Sequence, residues 1–197
     1  RDCLLSRGLG DVYKRQKEAY EALQADFPQI ETCFSPRYAD TNSMYTLYNT
    51  RDVIGDDSFL LLESDLVFER KAILSLLDDE FPDVMLVSSL TKFQDQYYVE
   101  YDRNHILTSC SVDKDALEAK GELVGIHKLS NTFYRRMCAD YATILESQPK
   151  LGYEYELLRM SRSVSPVRVL RVEGLKWYEI DDEADLSYAE EHIIRYC

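Results

Sequence analysis

Ser58-Phe59-Leu60-Leu61-Leu62-Glu63-Ser64-Asp65 is an unbroken apolar run that stops abruptly at two carboxylates. A strand exposed on one face alternates polar and apolar residues, so a short run without alternation reads as a strand covered on both faces. The stretch therefore predicts a central strand over Ser58–Leu62, with Asp65 just past its carboxyl end. Ligands of open α/β sheets bind at that end, which makes Asp65 a candidate metal ligand. The competing account is that Asp65 only turns the chain, and this stretch taken alone favours the turn.

Outward from this strand the same grammar repeats. On the amino-terminal side, Lys17–Asp26 has helical spacing and stops before Pro28, and Ile30–Phe34 reads as a short strand broken by Ser35-Pro36. Asn42 and its neighbours Thr41 and Ser43 supply cap-type residues ahead of Met44, Leu47, Tyr48 and Arg51, a spacing that predicts an amphipathic helix ending near Gly55. On the other side, Arg70–Leu77 reads as a helix and Val84–Val87 as a second buried strand. Tyr97–Tyr101 and Ile106–Cys110 flank Asp102-Arg103-Asn104 as an antiparallel hairpin. A strand over Gly121–Lys128 follows, then a helix capped by Ser130 and running through Leu145, and another over Tyr153–Met160. Strands at Val167–Val172 and through Ile180 precede a last helix, Ala184–Tyr196, opened by Asp182. Alternating helices and strands predict one α/β domain with a mixed sheet and a hairpin insertion.

The chain has 197 residues, 45% hydrophobic and 30% charged, with 23 Lys+Arg against 36 Asp+Glu and a formal net charge of −13. That length supports one domain with a sizeable core. No apolar run approaches the roughly 20 residues needed to cross a bilayer. Nucleic acid and membrane partners are not expected, since a phosphate backbone is bound by a Lys/Arg surface; a divalent cation or a cationic group suits the charge better. Five cysteines, Cys3, Cys33, Cys110, Cys138 and Cys197, lack any C-x-x-C pair and read as reduced thiols of a cytoplasmic protein. His105, His127 and His192 show no metal-ligand spacing and read as surface or strand-end residues.

A second acidic stretch runs from Trp177 to Asp185. If Trp177–Asp181 is extended, Glu179 and Asp181 share one face and can reach one cation. Asp182, Glu183 and Asp185 are explained instead as an N-cap and first turn at the positive end of a helix dipole. No Ser-His-Asp order, H-E-x-x-H or G-x-G-x-x-G occurs, so hydrolase and dehydrogenase chemistry lose support. Tyrosine is abundant, with 15 residues, and Tyr153-Glu154-Tyr155-Glu156 alternates aromatic with acid. Such a mixture suits an ammonium group, although half-buried packing accounts for most of the tyrosines.

Three segments together resemble the phosphocholine and 2-aminoethylphosphonate cytidylyltransferases, of the MobA-like nucleotidyltransferase superfamily and related to the sugar-1-phosphate enzymes. They are Ser35–Tyr48, Phe59–Phe68 with Glu63-Ser64-Asp65, and Lys176–Asp181, with Gly125–Ser130 between the last two. The resemblance spans roughly Glu31 to Arg195. It implies a Rossmann-like, mostly parallel mixed sheet with helices on both faces, and transfer of CMP from CTP to a small amine-bearing phosphonate or phosphate with release of pyrophosphate. Such chemistry is largely positioning and charge neutralisation. By position, the resemblance implies Mg2+ held by Asp65 and Asp181 with Glu179 beside them, and Asn42 near the substrate. Lys128 becomes a candidate for contacting phosphoryl oxygens, or a solvated lysine at a strand end. Tyr153, Glu154 and Glu156 become candidates for an amine head group. A sugar-1-phosphate nucleotidyltransferase, or a catalytically silent binding domain of the same fold, are the competing readings.

These enzymes open on a strand and a glycine-rich loop with an arginine that cradles the triphosphate through backbone N–H groups. No such segment is legible here; Arg1–Gln16 fits neither the family nor the periodicity that starts at Lys17 and reads as an artefactual leader. The expectation is therefore a domain over residues 17–197 lacking its first β-α unit, inactive by itself. In some relatives the chain continues into a kinase or aminotransferase domain. A sheet lacking a central strand leaves apolar edges open to pairing with other chains. Light scattering and thermal melting are expected to show self-association and a low or poorly cooperative transition; a monomer with an ordinary cooperative melt counts against the missing strand.

Overall fold

Strand β6 organises the structure, a computed structural model that describes residues 21–33, 35–90 and 97–197. In chain order the strands are β1 Phe59–Leu62, β2 Leu66–Phe68, β3 Val84–Ser88, β4 Tyr98–Tyr101, β5 Leu107–Ser111, β6 Gly121–Leu129, β7 Arg168–Val172 and β8 Trp177–Glu179. The helices are α1 Ser43–Asn49, α2 Arg51–Ile54, α3 Lys71–Asp78, α4 Asn131–Ile144, α5 Tyr153–Ser163 and α6 Glu183–His192. Three helices start as the sequence predicts. The Asn42 side chain accepts from Ser43 N–H, that of Ser130 from Phe133 N–H, and that of Asp182 from Ala184 and Asp185 N–H.

The main sheet has the order β5-β4-β6-β3-β7, with β1 also paired to β6. One edge of β6 carries β3; the other carries β4 near Gly121 and β1 near Leu129. The expected mixed α/β sheet with helices is present. Strands β1, β3, β4 and β7 run one way while β5 and β6 run against them. Because the reversed β6 sits in the middle, its ladders with β1, β3 and β4 are antiparallel; β4–β5 and β2–β8 are antiparallel as well, and β3–β7 is the one parallel ladder among the described residues. The hairpin is β4–β5, closed by Asp102, whose carboxylate accepts from Asn104 and Ile106 N–H.

Alternation along β3 and β6 sorts the core onto two faces. Met85, Val87, Leu123 and Leu129 pack with α1, α4 and α5 through Met44, Phe133, Tyr134, Tyr141 and Leu157. Val84, Leu86, Val124 and Ile126 pack the other way, with Ala72 and Leu76 of α3 and with Trp177. Each fully buried large side chain contributes about 1.5–3 kcal/mol.

Two expectations are corrected. Residues 30–33 form no strand, and Phe34 lies outside the described residues; the segment finds no partner strand among them, and an isolated extended stretch has nothing to complete its hydrogen bonds. β1 is covered on both faces only in part, with Leu62 40% exposed, and among the described residues it pairs with β6 alone. An apolar run reports burial of side chains and carries no information on which strand edges are paired. Lys17–Asp26 is helical over residues 21–26, while the earlier positions, Cys3 and the leader included, lie outside the described residues.

Gly121, at the start of β6, leaves no room for a side chain against the end of β3. A Cβ there would meet Val87 Cγ1 at 2.2 Å and the Ser88 carbonyl oxygen at 2.5 Å. Gly121→Ala is expected to cost on the order of 1–3 kcal/mol by overpacking, read as a lower urea midpoint at unchanged slope.

Candidate metal centre

The short ladder β2–β8 builds the site. Its register sets Leu66 opposite Glu179, and the Ile180 N–H donates to the Asp65 carbonyl at 2.8 Å. Glu179, from the end of the chain, is thereby held beside Asp65, from its first third. Glu63 joins from the end of β1, tied to β6 by its N–H to the Gly125 carbonyl at 3.0 Å. One carboxylate oxygen from each of Glu63, Asp65 and Glu179 lies within 4.8 Å of the others.

Three carboxylates this close repel one another unless a cation or protons intervene. Oxygen donors from carboxylates are what Mg2+ and Ca2+ take, with Mg2+ keeping places for water and phosphate oxygens. Asp65 Oδ1 is buried and has no hydrogen-bond partner among the described residues, which is costly for an anionic oxygen that nothing neutralises. The residues present thus fit a divalent cation.

Glu63 is fixed from two sides. The Tyr153 hydroxyl donates to its Oε1 at 2.7 Å. Its Oε2 lies where a Cβ on residue 125 would stand, 2.4 Å away, and Gly125 has φ +77, a conformation glycine tolerates. Behind Tyr153, the His127 Nε2 lies 3.2 Å from the hydroxyl oxygen. His127 is fully buried, and burial pushes its ring down to about 3, so it is neutral at neutral pH. Burial and the charge of Glu63 raise the Tyr153 phenol well above its usual range.

The structure joins some of the sequence candidates and separates others. Asp65 and Glu179 come together; Asp181 does not enter the group. β8 ends at Glu179, and Asp181, exposed, turns toward the α6 cap with its N–H on Asp185 Oδ2 at 3.1 Å, so the two acids no longer share a strand face. Asn42 is occupied in capping α1. Lys128 follows the alternation of β6 to the α3 face, where its ammonium donates to the Asp79 carbonyl. Tyr153, Glu154 and Glu156 part company because a helix turns 100° per residue. Glu156 is fully buried, pushed up to about 7 by burial, and accepts two bonds from Arg159 at 3.0 Å. Glu154, 4% exposed, lies toward Tyr97 and Gly152, and the Tyr97 ring meets Tyr155 edge-on. Glu63, Gly125 and His127 are the residues the sequence reading missed. Spacing held a signal for Glu63, two residues before Asp65, while His127 reads as a strand-end residue until α5 covers it.

Comparison with solved structures gives the same fold. Similar folds include CTP:phosphocholine cytidylyltransferase from Streptococcus pneumoniae, with TM-score 0.66 and 18% identity over 89% of this chain and 74% of that one. They also include the inositol-1-phosphate CTP transferase from T. maritima, with TM-score 0.70 and 19% identity over 88% and 70%. HddC from Yersinia pseudotuberculosis matches with TM-score 0.57 and 15% identity over 88% and 72%. The chain shares their fold. No protein-family model matches its sequence, and among the described residues no helix is long and apolar enough to cross a membrane.

If the three carboxylates form one cation site, removing a charge has opposite effects with and without metal. In chelator, Asp65→Asn is expected to melt no lower than the parent, since repulsion is relieved. With millimolar Mn2+ the parent is expected to gain Tm and the variant little or nothing. Equal gains in both would remove Asp65 from the site.

Proposed function

We propose that this domain belongs to a Mg2+-dependent cytidylyltransferase that moves CMP from CTP to a small amine-bearing phosphonate or phosphate, 2-aminoethylphosphonate or phosphocholine, and releases pyrophosphate. The observation that carries the reading is the group Glu63, Asp65 and Glu179, set just beyond β1 in a fold shared with nucleotidyl-transferring enzymes. In the reaction an acceptor oxygen bonds to the α-phosphorus of CTP as the bond to the β-phosphate's bridging oxygen breaks, and pyrophosphate leaves with that electron pair. A divalent cation there supplies charge neutralisation for the phosphates. Asp65, Glu63 and Glu179 would hold it, with the buried, unpartnered Oδ1 of Asp65 available to it. Asp181, which the sequence resemblance implies as a ligand, is exposed one residue past Ile180 and belongs in the same test. At the acceptor end we assign the amine to Glu154 with the Tyr97 and Tyr155 rings, whose carboxylate and aromatic faces suit an ammonium group.

We further propose that the 197 residues alone bind metal and acceptor without turnover, because no glycine-rich phosphate loop is legible in them. Pyrophosphate release is therefore measured on this chain and on any longer product of its gene, with CTP and either the amine-bearing acceptors or hexose 1-phosphates. Where a longer product exists, the expected result is release from it with an amine-bearing acceptor, reduced at least about 100-fold by Asp65→Asn, a loss of roughly 2.7 kcal/mol of transition-state stabilisation. Release with hexose phosphates alone selects the sugar-1-phosphate reading, and no release with any nucleotide selects a silent binding domain.

A further inference from the structure

Tyr153 and His127 form a buried line of polar groups aimed at the carboxylate cluster, and the proton inventory gives that line a direction. An ionised Glu63 only accepts, so the single hydroxyl proton of Tyr153 goes to Glu63 Oε1, 2.7 Å away. The phenol oxygen is then left as an acceptor facing His127 Nε2 at 3.2 Å. A neutral imidazole has one N–H, and this contact places it on Nε2. The other ring nitrogen, Nδ1, is buried with no partner among the described residues, which fits its being the bare nitrogen of that tautomer. The chain therefore runs from His127 N–H to Tyr153 oxygen, and from Tyr153 O–H to Glu63.

Its two anchors are rigid. His127 sits in β6 on the strand's fully buried stretch, paired with Leu61 and Met85. Tyr153 opens α5, and its own N–H donates to Ser43 Oγ of α1 at 3.1 Å. Glu63, by contrast, lies in the short connection between β1 and β2. Packing gives no reason for the hydroxyl: Tyr153 is 3% exposed among apolar residues, where phenylalanine would fill nearly the same space without a polar atom to satisfy.

We infer that Tyr153 and His127 are positioning residues for Glu63, holding one oxygen of its carboxylate so that the group with Asp65 and Glu179 presents a fixed arrangement to a divalent cation. The inference rests on the reading of that group as a cation site. It also moves Tyr153 from the acceptor pocket, where the sequence suggested it, to the support of the metal centre. Groups that orient metal-binding carboxylates typically matter by 10–100-fold in affinity.

The test is a double-mutant cycle read by Mn2+ binding, using electron paramagnetic resonance of free Mn2+ on the full chain. Tyr153→Phe is expected to weaken Mn2+ binding about tenfold, and His127→Leu by a smaller factor in the same direction. In the Glu63→Gln background neither substitution is expected to weaken binding further, because both act through the Glu63 carboxylate. An unchanged Mn2+ affinity in Tyr153→Phe overturns the inference. So does an equal loss with and without Glu63, which marks general damage to the fold. If Tyr153→Phe does not fold, the His127→Leu arm of the cycle decides on the same criteria. The failure of the underlying reading is separate: a parent chain that binds no Mn2+, or binds it equally well as Asp65→Asn, removes the cation site itself.

Discussion

The structure depends on a single strand that serves two edges and two faces. β6 carries β3 along one side and both β4 and β1 along the other, so a nine-residue segment completes the backbone hydrogen bonds of three neighbours. It runs against them, which keeps those ladders antiparallel while most strands still point the same way. Its side chains divide between the α3 face and the face covered by α1, α4 and α5. A residue's position along β6 thus decides which side of the molecule it reaches. His127 and Gly125 face the carboxylates through Tyr153 and Glu63, while Lys128 ends at the Asp79 carbonyl.

Holding three carboxylates together requires structure that opposes their repulsion, and that opposition comes from the backbone. Glu63 is tied to Gly125, and Asp65 to Ile180, through main-chain hydrogen bonds that do not depend on charge. The β2–β8 register then leaves Glu179 no freedom to move away along the chain. With the acids fixed in this way, the oxygens that the proposed cation would need are already assembled, and on that proposal little ordering remains to be done on binding. The Tyr153 hydroxyl belongs to the same logic, since it satisfies one Glu63 oxygen that would otherwise be available to rotate.

A domain of this acidity concentrates some of its charge inside. Glu156 is fully buried against Arg159, which also pairs with Asp140. That arrangement joins α5 to α4 and accounts for one of the acids that looked suited to a cationic ligand. The pair is buried on the Glu156 side alone, since Arg159 is 41% exposed, so removing Arg159 would leave the acid without its partner where burial already favours its neutral form. Glu154, two residues earlier, projects from another face of the same helix, toward Tyr97. Two acids that look equivalent in Tyr153-Glu154-Tyr155-Glu156 therefore sit in different surroundings.

Much of the fold was legible because it rests on local patterns. Apolar runs marked β3 and β6, cap residues Asn42, Ser130 and Asp182 marked three helix starts, and Asp102-Arg103-Asn104 marked the hairpin. Asp65 stood out locally as an acid at the point where a strand runs out, but that stretch alone favoured a turn, and the family resemblance was what pointed it toward a cation. The reversed direction of β6 and the pairing of β2 with β8 were not legible, because each follows from hydrogen bonds between segments far apart in sequence; Asp181 stands apart from the group for a local reason, since β8 ends at Glu179 and the Asp181 N–H turns to Asp185 four residues on. His127 makes the division plain. Its sequence neighbours assign it to a strand, which the amino-acid pattern determines by itself. Its burial, its neutral ring and its place behind Tyr153 exist only once α5 has packed over β6, because desolvation and hydrogen bonding are properties of what surrounds a side chain in space.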